Sequence, residues 1–236
     1  MVRATNGIGQ MTGGEQGAEL DWPSLDWRDG IVPVSRRFDD PYFSQNGGLA
    51  ETRHVFLAGN GLPARFRDGF QVAELGFGTG LNLLATLIAN AGLALRYTSF
   101  EAYPMQAGDM ARALAAFPEA LAVAGPLLEA WGAGKRRFAL GAVEVEVIVG
   151  DARHSLPLWG AKADAWYLDG FSPAKNPELW SPDLMAQVAR HTAAGGTCAT
   201  YTAAGHVRAS LAAAGFVVQR VAGHGTKRHM TVGRLP

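Results

Sequence analysis

Residues 74–82 read Glu74-Leu75-Gly76-Phe77-Gly78-Thr79-Gly80-Leu81-Asn82, three glycines at alternate positions between two apolar runs. The run before them (70–75) is short and bounded by glycine, so it is expected to be a buried strand. The run after them (81–91) has helical length and ends near Gly92. Glycines in a strand–turn–helix setting let the chain turn tightly and let a ligand press against the backbone without a Cβ between. The spacing is selective. A phosphate-binding P-loop needs GxxxxGK[ST], and no lysine follows here. A dinucleotide fingerprint needs GxGxxG, whereas the sixth position counted from Gly76 is Leu81. A glycine turn with no ligand is the alternative, and the setting argues against it.

Outward from this loop the same alternation continues. Strands are expected over 97–101, 143–149, 165–168, 197–202, 216–221 and 230–235, with 137–140 leading into the second of these as a hairpin. Helices are expected over 107–117, 119–131, 183–191 and 207–214. With 70–75 this makes an α/β, Rossmann-like fold: a seven-stranded, mostly parallel sheet with one antiparallel strand and helices on both faces. Residues 20–69 hold turns and short strands, one of them over 53–59. Residues 1–19, with five glycines and few large apolar side chains, are expected to be a flexible tail, in which MTGGEQG (11–17) resembles an appended tag. No repeat or linker divides 20–236, which are expected to form one domain.

Composition sets limits on function. The 236 residues are 48% hydrophobic, enough for a core and too apolar for a disordered chain. Lysine plus arginine number 21, against 21 aspartate plus glutamate. That balance excludes an all-over basic nucleic-acid binder but leaves local clusters at Arg36-Arg37, Arg65 with Arg67, residues 135–137 and Lys227-Arg228-His229. One cysteine, Cys198, excludes a disulfide framework and a cysteine zinc site within these residues; no HxxxH pair occurs, so no metal site is expected. The most apolar stretch, 81–95, is interrupted by Asn82 and Asn90 and is short for a membrane span. With no signal-like N-terminus, the expected location is the cytoplasm.

Acidic residues follow three of the expected strands. Glu101 ends the strand after the glycine loop's helix, where a carboxylate can accept from both hydroxyls of a ribose, that of a nicotinamide dinucleotide included. Asp151 stands in Gly150-Asp151-Ala152 after 143–149. Asp169 opens DGFSPAKNPELW (169–180) at the carboxyl end of a strand, the end at which open α/β sheets bind ligands. There Gly170 permits an abrupt turn, Pro173 and Pro177 stiffen the loop, and Phe171 and Trp180 offer flat surfaces to a ring.

The ExGxGxG spacing resembles that of class I S-adenosylmethionine-dependent methyltransferases. Paired with DGFSPAKNPELW it resembles, more specifically, the MnmC-type tRNA methyltransferase family. The likeness extends through PVSRRFDDPYFS (33–44), GLAETRHVFLAGN (48–60), FEAYP (100–104) and GTKRHMTVG (225–233). This resemblance implies S-adenosyl-L-methionine as cofactor, held by Tyr42, Glu74, Gly76, Phe77, Gly78, Gly80, Asn82, Glu101, Asp151, Ala152, Asp169 and Gly170. Asp151 would meet the adenine amino group, and 20–69 would form a cap whose segment 39–44, with Gly48 and Glu51, covers the methionine end. Asp169 would be catalytic, taking a hydrogen bond and then a proton from an acceptor amine. Phe171, Pro173, Lys175, Asn176, Lys227 and Arg228 would meet substrate. The implied substrate is tRNA carrying 5-aminomethyl(-2-thio)uridine at the wobble position, U34, and the implied product is 5-methylaminomethyl-2-thiouridine. An FAD-dependent oxidase domain acts in that family on the same amine. No second glycine fingerprint occurs here, so the FAD-dependent oxidase domain is expected to be either separate or missing. A small-molecule amine as acceptor, or a degenerate binding module, are the competing expectations.

Overall fold

The computed structural model describes residues 22–44 and 47–236, so the expected tail over 1–19 lies outside the described residues. Strands β1 (Leu25–Arg28), β2 (Val32–Ser35) and β3 (Asp40–Pro41) form a small antiparallel sheet of their own. After helix α1 (Gly48–Thr52) the main unit begins with β4 (Gln71–Leu75), α2 (Leu81–Ala89), β5 (Leu95–Glu101), α3 (Ala107–Leu114), α4 (Pro118–Leu121) and α5 (Gly125–Gly132). It continues with β6 (Arg137–Leu140), β7 (Val143–Val149), α6 (Ala152–Ser155), β8 (Ala163–Leu168), α7 (Pro182–Arg190), β9 (Thr192–Thr200), α8 (Gly205–Ala213), β10 (Val217–Ala222) and β11 (His229–Arg234).

The large sheet runs β10-β11-β9-β8-β4-β5-β7-β6. Pairs β4–β5, β4–β8, β5–β7 and β8–β9 are parallel, and β11 lies antiparallel between β9 and β10. These are the seven expected strands. The leading arm of the hairpin, β6, adds an eighth at the edge, antiparallel to β7. Side chains alternate across the sheet as the pleat requires. Val72, Tyr97, Val145 and Tyr167 join one core, while Ala73, Leu75, Phe100, Trp166 and Leu168 join another on the opposite face. In VEVEVIV the valines 143, 145 and 147 are buried, and Glu146 pairs across the hairpin with Arg137.

Two expectations are corrected. Residues 53–59 are not a strand: α1 continues into a single π-helical turn, Arg53–Leu57, and a short 3-10 turn. Leu49, Thr52, Val55 and Phe56 are buried at helical spacing, so packing on the sheet overrides the strand preference of a short aromatic, β-branched run. The helix expected over 119–131 is two, α4 and α5, because Gly125-Pro126 interrupts the first and provides the proline near the start of the second.

β4 lies between β5 and β8, with helices departing to opposite faces, so it marks the switch point of the sheet. Register then places the strand ends side by side. Leu75 pairs with Phe100 and with Leu168, and Glu101 with Val149. Gly76, Glu101, Gly150 and Asp169 therefore emerge in one row.

Candidate active site

A cleft of about 600 Å³ opens over that row, within the usual size range of small-molecule sites. Its walls are the glycine loop, the segments after β5, β7 and β8, and residues 37–44 of the cap.

Gly76 has φ +84, and a Cβ there would stand 3.3 Å from the backbone of Gly170, itself at φ +127. A side chain at Gly76 would be strained and would press on the β8 loop, and one at Gly170 would be strained and collide with Leu179, so Gly76 lets the β4 and β8 ends meet. Gly78 lies under the Tyr42 ring and lines the cleft. Gly80 instead faces Leu127 and Phe77 behind the wall.

Glu101 is buried, and each carboxylate oxygen accepts one backbone N–H: Oε2 from Gly78 at 2.9 Å and Oε1 from Tyr103 at 2.7 Å. Burial raises its pKa, and those N–H groups oppose the rise. Each oxygen has further acceptor capacity and the side chain lines the cleft, which suits a vicinal diol.

Asp169 is held from two sides. Its Oδ1 accepts the Gly170 N–H and its Oδ2 the Asn82 Nδ2–H, both at 2.8 Å. Burial pushes its carboxyl up to about 6, against those bonds. Asn82 also donates to Glu74 Oε1 and accepts from the Thr52 hydroxyl, so one amide side chain ties α2, β4, α1 and the β8 end together. Glu74 lies beneath the cleft rather than in its wall. It is completely buried, with Oε2 unpaired, and burial pushes its carboxyl up to about 8.

Asp151 and Ala152 line the cleft, but the Asp151 carboxylate is occupied by Arg153. It caps α6 through the Arg153 N–H and makes a two-pronged ion pair with that guanidinium. Its pKa is lowered, chiefly by the Arg153 side chain. An adenine amino group would therefore share this acid with Arg153.

The cap is joined to the loop after β8. Asp40 accepts the Ser172 N–H at 2.7 Å, and Lys175 pairs with Asp39 at 2.7 Å. Phe171 stacks on Phe38 at 4.7 Å and meets Tyr42 edge-on at 5.0 Å, while Tyr103 lies beneath Arg37 at 4.6 Å. Asn176 and Lys227 also line the cleft; Pro173 and Arg228 do not. Lys227, on the hairpin joining β10 and β11, donates to Glu51 at 2.6 Å.

Phe38, Tyr103 and Tyr201 are cleft residues that sequence reasoning missed. Phe38 and Tyr103 lie within quoted stretches, and the aromatic character of PVSRRFDDPYFS and FEAYP was the available signal. Tyr201, after β9, carried none.

The cleft is lined by six acidic side chains against four basic ones. Among the basic ones Arg153, Lys175 and Lys227 are already paired with acids. Such a site suits a cationic ligand better than a phosphate. The paired acceptors on Glu101, the bare backbone at Gly76 and Gly170, and the excess of carboxylates fit a nucleoside bearing a sulfonium and an amino group. Among the described residues no group of three or more potential ligands is placed to hold a metal, and no helix is long and apolar enough to cross a membrane.

Comparison with known proteins agrees with this geometry. A family model described as S-adenosyl-L-methionine-dependent methyltransferase matches residues 119–236. The tRNA 5-methylaminomethyl-2-thiouridine biosynthesis bifunctional protein MnmC of Aeromonas hydrophila is 46% identical over 230 residues, 89% of this chain and 35% of that protein. Its namesake in Pseudomonas paraeruginosa is 46% identical over 231 residues, 92% of this chain and 35% of that protein. The chain thus spans about a third of the length of the curated relatives it matches. The crystal structure of MNMC2 from Aquifex aeolicus superposes with a TM-score of 0.72 at 27% identity, over 92% of this chain and 72% of that one. The chain belongs to the S-adenosyl-L-methionine-dependent methyltransferase family whose model it matches.

Proposed function

We propose that this chain transfers a methyl group from S-adenosyl-L-methionine to the primary amine of 5-aminomethyl-2-thiouridine at the wobble position of tRNA. The observation that carries the reading is Asp169. It is a partly buried carboxyl near pKa 6, fixed by Asn82 and the Gly170 N–H, in a cleft with more acids than bases. The tRNA 5-methylaminomethyl-2-thiouridine biosynthesis for which the MnmC relatives are named supplies the amine-bearing nucleoside that such a site suits.

When bound, S-adenosyl-L-methionine supplies an electrophilic methyl group, so that an amine nitrogen gains a carbon while the sulfur keeps the bonding electron pair. Asp169 accepts a hydrogen bond from the acceptor amine, points its lone pair into the cleft and takes the proton released. Asn82 and the Gly170 N–H hold that carboxylate in one orientation. Glu101 receives the ribose, and Tyr42 and Phe38 close the cap over the cleft, excluding water. Phe171 gives the substrate base a flat surface. Most of the acceleration comes from alignment, for which proximity alone can supply ~7–11 kcal/mol. An oxidase acting on the same amine, and a cytoplasmic setting where tRNA is modified, complete the proposed context.

The test compares methyl incorporation into tRNA that carries the aminomethyl nucleoside with incorporation into the free aminomethyl nucleoside and simple amines. Preference for the tRNA supports the reading. Equal or better use of the free amines would make the chain a small-molecule N-methyltransferase.

A further inference from the structure

The Lys227 side chain belongs to the hairpin joining β10 and β11 and, 39% exposed, it lines the cleft. It pairs with Glu51, whose side chain is only 12% exposed, and it lies 4.1 Å above the Tyr201 ring. The Tyr201 hydroxyl donates to the Gly170 carbonyl at 2.9 Å, so the ring beneath the ammonium is fixed to the residue next to Asp169. Glu51 is anchored in turn by the Ser44 hydroxyl. Behind the pair, His54 bonds the Ala222 carbonyl at 3.1 Å and its ring stands 5.6 Å from that of His224, which secures the hairpin.

A lysine meant for phosphates gains nothing from this position. Lys227 pairs with Glu51 from α1 and acts electrostatically on Asp169 at the β8 end, and the Tyr201 phenol beneath it is surrounded by Asp169, Asp40 and Glu51. Without the Lys227 charge, an amine beside Asp169 would feel the carboxylates of Asp169 and Glu51 uncompensated. These would favour its ammonium form, which has no lone pair to react. Lys227 and Glu51 also act in opposite senses on Asp169, the first lowering and the second raising its affinity for a proton.

We propose that Lys227 is the electrostatic counterweight of the acceptor subsite, keeping the acceptor amine neutral beside Asp169, with Glu51 and Tyr201 as positioning residues. The proposal rests on the reading of the chain as an amine N-methyltransferase. It makes the acid limb of the turnover profile depend on the charge of Lys227.

The experiment measures kcat against pH with saturating aminomethyl tRNA for the wild type, Lys227→Met, Lys227→Arg and Glu51→Gln. Titration with S-adenosyl-L-methionine confirms that each variant is folded. Lys227→Met is expected to move the acid limb up by about one pH unit, which makes it ~10-fold slower below the limb and near wild type well above it. Lys227→Arg should keep the wild-type profile, and Glu51→Gln should move the limb the opposite way. A loss that is equal at every pH, complete loss included, or a limb that does not move, overturns the proposal. A wild-type protein that methylates no amine would sink the parent reading instead.

Discussion

Asp169, partly buried, and Glu74, fully buried, are bonded to the same Asn82 amide, yet they are placed for different work. Asp169 lines the cleft, and Asp169→Asn preserves its shape while removing the acceptor for an amine proton. Turnover is expected to fall by ~10²-fold or more, with affinity for S-adenosyl-L-methionine within a few fold. Near wild-type turnover would remove Asp169 from the reaction. Glu74 affects stability. Its carboxyl is raised from 4.5 to about 8, so the folded state holds that proton more tightly than the unfolded chain. The resulting stability is fully present below pH ~4.5 and is lost as pH rises through about 8. The wild-type melting temperature should therefore decline between pH 6 and 9, and Glu74→Gln, which keeps an acceptor for Asn82 and cannot ionise, should flatten that decline. An identical slope in the variant would show that Glu74 does not titrate there. Asp169 and Glu101 were legible in the sequence because a strand end is a local feature. The Glu51–Lys227 pair was not, since its members are 176 residues apart and meet only through the cap and the last hairpin.

Among elements, the glycine loop and the loop after β8 were legible because each follows an apolar strand. The cap was partly legible, as an aromatic segment with no visible partner. Its partner is residues 170–175, joined through the Asp40–Ser172 hydrogen bond, the Asp39–Lys175 pair and the Phe38–Phe171 stack. The Asp39–Lys175 pair is largely exposed and should add little, whereas the Asp40 bond is partly buried. Asp40→Ala is expected to weaken S-adenosyl-L-methionine binding several-fold by loosening the cap, with little change in melting temperature, since β1–β3 form a separate small sheet. Isothermal titration checks the first outcome and a thermal melt the second. A large loss of stability with unchanged affinity would make the cap part of the core rather than a cover. The helix over 48–60 was misread as partly strand for the converse reason: a short apolar run carries no period of its own until the sheet beneath it selects one face.

For the molecule as a whole, zero net charge and a cleft whose cations are mostly neutralised by acids leave the phosphates of the proposed tRNA substrate to be met at the rim, with Arg228 beside the cleft among the exposed candidates. Affinity for tRNA should be weak and should fall with salt, with a log–log slope of about −3, as expected for three or four phosphate contacts. A filter-binding series across salt concentrations checks this, and salt-independent affinity would contradict it. The described residues span about a third of the MnmC relatives, and in a longer protein further contacts would steepen that slope. The central claim, however, concerns chemistry at one nitrogen. Undermodified tRNA bearing the aminomethyl nucleoside can be incubated with the protein and S-adenosyl-L-methionine carrying a deuterated methyl group, then digested for mass spectrometry of the wobble nucleoside. The account predicts one deuterated methyl on the aminomethyl nitrogen, absent with Asp169→Asn. Label on a ring or ribose atom, or none on the wobble nucleoside while the protein binds the cofactor, would contradict it.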